Sequence, residues 1–342
     1  MIRMELGKNS YNIEVGRGNL AKAGEFFHLN RKVMIITDEG VPHAYPEKIA
    51  AQCKEAYINV VPEGETSKSL QTAEELLTEM LAHGFDRKDC VVAVGGGVVG
   101  DLGGFVASLY MRGIDFYNVP TTVLSQVDSS IGGKTAVNLA GIKNVIGAFY
   151  QPKAVLIDPD TLNTLSKRQV VNGLFEAIKM GATNDKELFE LFLYDDWKNQ
   201  LDKIIEKALL VKKHVVEQDE KESHLRKMLN FGHTIGHGFE SAAHGRYLHG
   251  ECVAIGMLYM SSKEVRNQLF EIYEKLGFIV PDFHVFDMKE VKEAIMHDKK
   301  ASGHSCSVVC VSEVGNGRIE EWRMDEVLGR LECNEYEKCV WK

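Results

Sequence analysis

The chain has 342 residues, enough for two domains with buried cores, and its apolar (44%) and charged (26%) shares are those of an ordinary globular protein. A formal net charge of -9 excludes a surface that attracts nucleic acid or anionic lipid as a whole, so an anionic ligand needs a local cluster of Lys and Arg. The seven scattered cysteines (Cys53, Cys90, Cys252, Cys306, Cys310, Cys333 and Cys339) form no disulfide or zinc-site spacing and read as thiols in a reducing compartment.

Residues 2–16 read as a hairpin, MIRMEL and YNIEV joined across GKNS, and this alternation argues against a signal peptide. No run approaches the ~18 apolar residues that would span a membrane, so the cytoplasm is the expected location. KVMIITD is a strand and INVVPEGE a strand running into a loop. SLQTAEELLTEMLAHGF is an amphipathic helix ending near Gly84. CVVAVGGG is a buried strand breaking into glycine, Val98–Leu109 a helix, and FYNVPTT and AVLIDPD two more strands. Strands alternating with helices predict an α/β fold, Rossmann-like, with a mostly parallel sheet and helices on both faces. After about residue 162 helical spacing takes over, in ALLVKKHVVEQDEKE, KMLNFGHTIGHGFESAA, CVAIGMLYMSSKEVRNQL and DMKEVKEAIMH. The β-like SVVCVSEVGNGRIEEWRM follows, turning at Gly315–Gly317. The expected division is an α/β domain over 1–160 and a mainly α-helical domain over 161–342.

Gly95, Gly97 and Gly100 fit G-x-G-x-x-G between a strand and a helix, where backbone can approach a pyrophosphate at a helix N-terminus. The acidic residue that usually ends the next strand is not clearly present, because Asp115 begins that strand. A tight turn needing glycine is the plainer alternative. Asp38 and Glu65, after strands, are candidates for the missing ribose carboxylate.

His233 and His237 are four apart in NFGHTIGHGFE, so they share a helix face, and His249 follows in LHGE. Thr234 stands where the metalloprotease motif needs Glu, which excludes that reading. A helical histidine pair is more often structural than metal-binding. The third histidine, with glycine beside each of the three, turns the balance toward a metal. A carboxylate would complete a two-histidine, one-acid site. Glu176 in GLFEAIKMG is a candidate, with a surface charge as its plain alternative.

Lys134 in SSIGGKTAVN, Lys143 and Asn144 in GIKNVIGAF, Arg112 in LYMRGID, and Lys212, Arg226 and Asn230 near the histidines form a scattered polar and basic set. Burial of such cations implies an anionic partner. Solvated charge is the simpler account, and it suits Lys134 poorly because glycines surround it. A dinucleotide loop, an open metal site and internal cations together describe oxidation of a metal-held hydroxyl on an anionic substrate.

At these motifs the sequence resembles the 3-dehydroquinate synthase family. GGGVVGDLGGFVAS, MRGI, VPTTVLSQVDSSIGGKTAVN, GIKNVIGAFYQP, FEAIKMG, LRKMLNFGHTIGH and LHGECVAIGM occur in the family's order over roughly residues 61–260. The resemblance implies NAD contacts from Asp38, Glu65, Lys68, Gly97, Val98, Val99, Gly100, Asp101, Thr121 and Thr122, and from Lys134, Lys143, Thr161, Leu162, Asn163 and Thr164. It implies Glu176, His233 and His249 as ligands of one divalent metal, zinc or cobalt. Arg112, Lys134, Asn144, Asn230, His237 and Lys300 would surround the substrate phosphate, and Lys212 and Arg226 its carboxylate. Asp128 and Lys179 would face its hydroxyls. The arginine of MRGI implies a homodimer, since in the family it reaches a neighbouring subunit's site.

The implied reaction converts 3-deoxy-D-arabino-heptulosonate 7-phosphate to 3-dehydroquinate and phosphate in the shikimate pathway. It proceeds by transient NAD oxidation, β-elimination, reduction and intramolecular aldol closure. Two departures stand out: Met180 replaces the family's usual Tyr after Lys179, and HDKKASG is short by one residue, leaving Lys299 or Lys300 for the phosphate. The alternatives are a cyclase making a cyclitol and an NAD- and metal-dependent polyol dehydrogenase. A substrate without a carboxylate would have no need of Lys212 and Arg226. A simple dehydrogenase would lack the GGKT and GIKN cations. A catalytically silent binding protein is disfavoured because none of the catalytic positions that the resemblance implies is lost.

Overall fold

The computed structural model describes residues 1–299 and 305–332. Lys300, Cys333, Cys339 and the charged tail lie outside them. The chain divides into two compact units. Met1–Val170 with Lys212–Lys221 form the first, and Val171–Val211 with Glu222–Lys342 the second.

The first unit is built on short strands, 3 to 8 residues long. Strands β1 (Ile2–Met4), β2 (Tyr11–Val15), β3 (Lys32–Asp38), β4 (Glu55–Val61), β5 (Cys90–Gly95) and β6 (Asp115–Pro120) come first in the chain. A hairpin follows, β7 (Lys134–Leu139) and β8 (Ile142–Phe149), and then β9 (Ala154–Ile157). Seven of these make one sheet in the order β1-β2-β9-β6-β5-β3-β4. Only β1 with β2 is antiparallel, and the other pairs are parallel. Alternate residues serve opposite faces, as a doubly covered sheet requires. Met34, Ile36, Val91 and Ala93 join one apolar cluster, while Val33, Ile35, Val92 and Val94 join another.

The strand order reverses between β3 and β5, since β4 lies outside β3 and β6 lies beyond β5 on the other side. Ligands of open α/β sheets collect at the carboxyl ends of strands at such a switch point. The glycine-rich turn sits there. The helix Gly97–Leu109 starts at Gly96, with no side chain capping its first turn. A Cβ on Gly103 would come 2.9 Å from Ala93 Cβ, and one on Gly104 would come 2.4 Å from Thr135 Cγ2. These glycines let the helix lie flat on β5 and β7.

Among the described residues the second unit is helical apart from a hairpin of β10 (Ser305–Val311) and β11 (Gly317–Arg323), which the helix Met324–Leu331 follows. Its buried aromatic residues include Phe175, Phe189, Phe192, Phe231, Phe239 and Tyr273. Glycine again sets the helix spacing. A Cβ on Gly256 would meet the Gly232 carbonyl at 1.9 Å, and one on Gly236 would meet the Cys252 carbonyl at 2.9 Å. The helices His233–Ala243 and His249–Tyr259 therefore touch backbone to backbone.

Three details differ from the expectations. The hairpin β7–β8 was not anticipated as strands. The helical run CVAIGMLYMSSKEVRNQL is two helices, His249–Tyr259 and Lys263–Leu276. The second starts where the Ser262 hydroxyl accepts from Val265 N at 3.3 Å, an N-cap that a periodicity count does not see. The first of the glycine-loop helix's residues is Gly97, one before Val98. Among the described residues no helix is long and apolar enough to cross a membrane.

Candidate active site

In the first unit the candidate residues gather at the carboxyl end of the sheet. Asp38 closes β3, and its Oδ1 accepts from Gly40 N at 2.9 Å. Burial raises its pKa, against the lowering by that amide. Lys68 is 4% exposed. Its ammonium pairs with Asp101 Oδ2 at 2.6 Å and also contacts the Asn144 side-chain oxygen. Burial raises the Asp101 pKa, and Lys68 opposes it. Glu65 Oε1 accepts from Asn138 Nδ2 at 2.9 Å, and Asn138 N donates to the Lys68 carbonyl at 2.8 Å. The loop after β4 and the hairpin β7–β8 are thus tied together.

Thr121 N donates to the Gly95 carbonyl at 2.9 Å, anchoring the end of β6 beside the glycine turn. Gln126, absent from the sequence reading, is fully buried. Its amide donates to the Pro120 and Asp158 carbonyls at 3.1 Å each and to Thr161 Oγ1 at 3.0 Å. It holds the 3-10 turn Pro159–Thr164 against the sheet end. Gln126 lies in the π-helical turn Ser125–Ser129, which also carries Asp128. The Lys212 ammonium donates to the Asp128 carbonyl at 2.7 Å and is ion-paired with its carboxylate.

The expected enclosure of Lys134 does not hold. Lys134 is exposed, as are Arg112, Lys143 and Asn144. The preceding glycines reverse the chain (Gly132 φ 92°, Gly133 φ 67°), and a Cβ on Gly133 would lie 2.6 Å from the Gln151 side chain. They serve a turn packed on Gln151, and the lysine that follows them is exposed.

In the second unit three helices converge on one point. Glu176 and Lys179, each 1% exposed, come from Lys167–Asn184. They are three apart and so share a face, and the ammonium pairs with Glu176 Oε2. The other oxygen, Oε1, has no hydrogen-bond partner although it is buried. It lies 3.4 Å from His249 Nε2 and 3.9 Å from His233 Nε2. Each histidine opens its helix, and each turns its other nitrogen to a separate acceptor. His233 Nδ1 is 3.2 Å from the Phe231 carbonyl, and His249 Nδ1 is 2.8 Å from Glu240 Oε2.

Both Nε2 atoms therefore face Glu176 with lone pairs available when the rings are neutral. Two ligand atoms on one tetrahedral zinc ion stand roughly 3.3 Å apart at ordinary bond lengths, close to the 3.4 Å between Glu176 and His249. A buried carboxylate oxygen with no donor is costly unless a cation completes it. The donor set fits a divalent metal held by Glu176, His233 and His249, which all lie within 4.8 Å of one another.

Without a cation the rings titrate apart. Burial, helped by Lys179, holds His233 well below its ordinary value. Burial also works against charge on His249, but Glu176 and Glu240 together overcome it and push that ring up to about 10. His237, on the same helix face, has its ring centroid 5.3 Å from that of His233 and 5.8 Å from that of His249.

Arg226 lies in the 3-10 turn Leu225–Asn230 and is 2% exposed. Asn230 donates to Glu222 Oε1 at 2.9 Å, and Glu222 holds a left-handed φ of 59°. Glu222 and Glu240 were missed in the sequence. Glu240 follows His233 by seven residues, a helical spacing that could have found it. Asn172 was missed as well. Four residues before Glu176, its side chain accepts from Gly250 N at 2.7 Å, fixing the start of the His249 helix to the glutamate's own.

Residues 58–172 match the 3-dehydroquinate synthase N-terminal family, and residues 173–301 match the 3-dehydroquinate synthase C-terminal family. The chain is 40% identical to a 3-dehydroquinate synthase of Streptococcus mutans, over 97% of this chain and 99% of that one. It belongs to the 3-dehydroquinate synthase family. Among solved structures it is similar to a 2-deoxy-scyllo-inosose synthase complexed with carbaglucose-6-phosphate, NAD+ and Co2+ (TM-score 0.84, 26% identity, 96% of this chain and 98% of that one). It is also similar to a 2-epi-5-epi-valiolone synthase of Streptomyces hygroscopicus with NAD+ and Zn2+ bound (TM-score 0.85, 26% identity, 96% and 97%). In family terms, both the glycine loop and the convergent Glu-His-His set fall inside the matched residues.

Proposed function

We propose that the chain converts 3-deoxy-D-arabino-heptulosonate 7-phosphate to 3-dehydroquinate and phosphate, with NAD and one zinc or cobalt ion. The observation that carries this is the buried Glu176 oxygen, left without a donor between two imidazoles, in a chain 40% identical to a curated synthase. When bound, NAD accepts and returns a hydride while the metal polarises the reacting hydroxyl, so the redox change cancels within a turnover.

The chain's own residues bind and orient. The glycine-loop helix offers uncapped amides to a pyrophosphate, with Asp38 or Glu65 for a ribose and Lys68, Asp101, Thr121, Thr122, Lys143 and Thr161–Thr164 around them. Arg112, Lys134, Asn144, Asn230, His237 and Lys300 bind the phosphate. Lys212 and Arg226 take the carboxylate, and Asp128 and Lys179 face the substrate hydroxyls. The division into a cofactor domain over 1–160 and a metal and substrate domain over 161–342, a homodimer and a cytoplasmic location belong to the same proposal.

The test is phosphate release and 3-dehydroquinate formation from the heptulosonate phosphate, with and without NAD and a chelator. Activity that needs both, with no net NADH, is expected. A second reading, a cyclitol-forming sugar-phosphate cyclase, is favoured by the likeness to the two solved cyclases. Turnover of a sugar phosphate lacking a carboxylate, with none of the heptulosonate, would select it. Accumulating NADH would instead indicate a polyol dehydrogenase.

A further inference from the structure

We infer that Glu240 is a positioning residue of the metal centre, holding the His249 ring so that Nε2 points at Glu176. This rests on the metal reading above and adds to it a residue outside the three ligands. Glu240 stands seven residues after His233 on the helix His233–Ala243, so it returns to the face that carries His233. Its Oε2 lies 2.8 Å from His249 Nδ1, and its side chain is 17% exposed.

The two histidines are oriented in different ways. For His233 the acceptor is the Phe231 carbonyl, part of the main chain and beyond the reach of substitution. For His249 it is a carboxylate, which fixes the tautomer and also makes the imidazole a stronger donor to a cation. Without Glu240 the His249 ring, at the first position of its helix, has no such acceptor on Nδ1.

A competing role exists, because His237, Glu240 and His249 also come within 4.8 Å of one another and could hold a cation themselves. Distance argues against it. The 2.8 Å between Glu240 and His249 is a hydrogen bond, shorter than the roughly 3.3 Å between two ligand atoms of a tetrahedral zinc. The nitrogen that would bind there already faces the carboxylate.

The full chain, stripped of metal with a chelator, is titrated with cobalt(II) in competition with a chromogenic chelator, and the visible cobalt bands are recorded. Glu240→Ala should weaken cobalt binding about 10- to 100-fold and alter the bands, while Glu240→Gln, which keeps an oxygen acceptor, should lose less. In a His249→Ala background Glu240→Ala should have no further effect, since it acts through that ring. Thermal unfolding of the stripped proteins checks the fold, and if Glu240→Ala does not fold, Glu240→Gln carries the comparison. Parent-like affinity and bands in Glu240→Ala, an equal loss in the His249→Ala background, or two cobalt ions per chain with one lost on Glu240→Ala would each overturn the inference. If the parent takes up no cobalt, or His249→Ala binds it as tightly as the parent, the metal reading itself fails and the inference falls with it.

Discussion

The two groups of candidate residues are built on opposite plans. In the second unit, Glu176, Lys179 and Arg226 are 1–2% exposed, and three packed helices carry the acid and the histidines. In the first, Arg112, Lys134, Lys143 and Asn144 are exposed on a turn and a hairpin, while the buried cations Lys68 and Lys212 are already paired with Asp101 and Asp128. A buried donor set is fixed before its ligand arrives, and its unmatched oxygen makes a cation part of the folded state's energetics. Exposed cations carry little desolvation cost, and their ion pairs contribute little to the stability of the fold. The contrast predicts that substitutions in the buried set of Glu176, Lys179, His233 and His249 alter stability and metal content, whereas those at the exposed hairpin positions act mainly on ligand binding.

The largest effect tests the buried plan directly. His249→Ala removes one of three ligands, and turnover should fall about a thousandfold or more, the several kcal/mol that a Lewis acid supplies. Phosphate release together with metal analysis of the purified protein checks it. Near-parental rates after strict metal removal would defeat the assignment of His249.

A paired substitution sharpens the comparison. Lys179→Met strips the partner from a carboxylate that is 1% exposed, and breaking such a buried pair costs about 3–5 kcal/mol. Lys134→Met, at an exposed position, should change stability by no more than about 0.5 kcal/mol. Urea unfolding of the metal-free proteins measures both. Equal losses would mean that the two units are not built on different plans.

The same physics explains how far the sequence could be read. β3 and β5 were legible because both faces are buried, which leaves unbroken apolar runs such as VMII and VVAV. β8 was not. It runs exposed over most of its length, so no period-two pattern marks it, and GIKNVIGAF reads only as a motif. His233 and His237 could be put on one face from their spacing, but the convergence of Glu176 depends on a glycine contact between helices, Gly250 against the Asn172 carbonyl. Beside Lys134 the glycines make a tight turn, and glycine in a sequence marks a turn and a wrapped ligand alike, so the exposure of this lysine was not legible.

Arg226→Ala probes a smaller term. Its guanidinium is 2% exposed, and on the proposed reading it meets the substrate carboxylate. Hydrogen bonds to charged groups contribute about 1.5–3 kcal/mol, so kcat/KM for the heptulosonate phosphate should fall about 10- to 100-fold. Cobalt binding should be unchanged. An equal fall for a substrate without the carboxylate would remove that role.

The smallest effect lies in the pH dependence of the metal-free chain. The folded His249 value, about 10, is above its ordinary 6.5, so its proton stabilises the fold. That contribution is complete below pH 6.5 and fades as the pH rises toward 10, because the folded state binds more protons than the unfolded state in between. His233 is shifted the other way, so it costs stability only as the pH falls below 6.5. Between pH 7 and 10 the parent's unfolding midpoint, measured in chelator, should therefore drop more than that of His249→Ala. A bound cation needs the neutral ring and displaces that proton. Added metal should bring the slopes of the two proteins together in that window, and parallel curves in chelator alone would show that Glu176 and Glu240 do not hold the proton on His249.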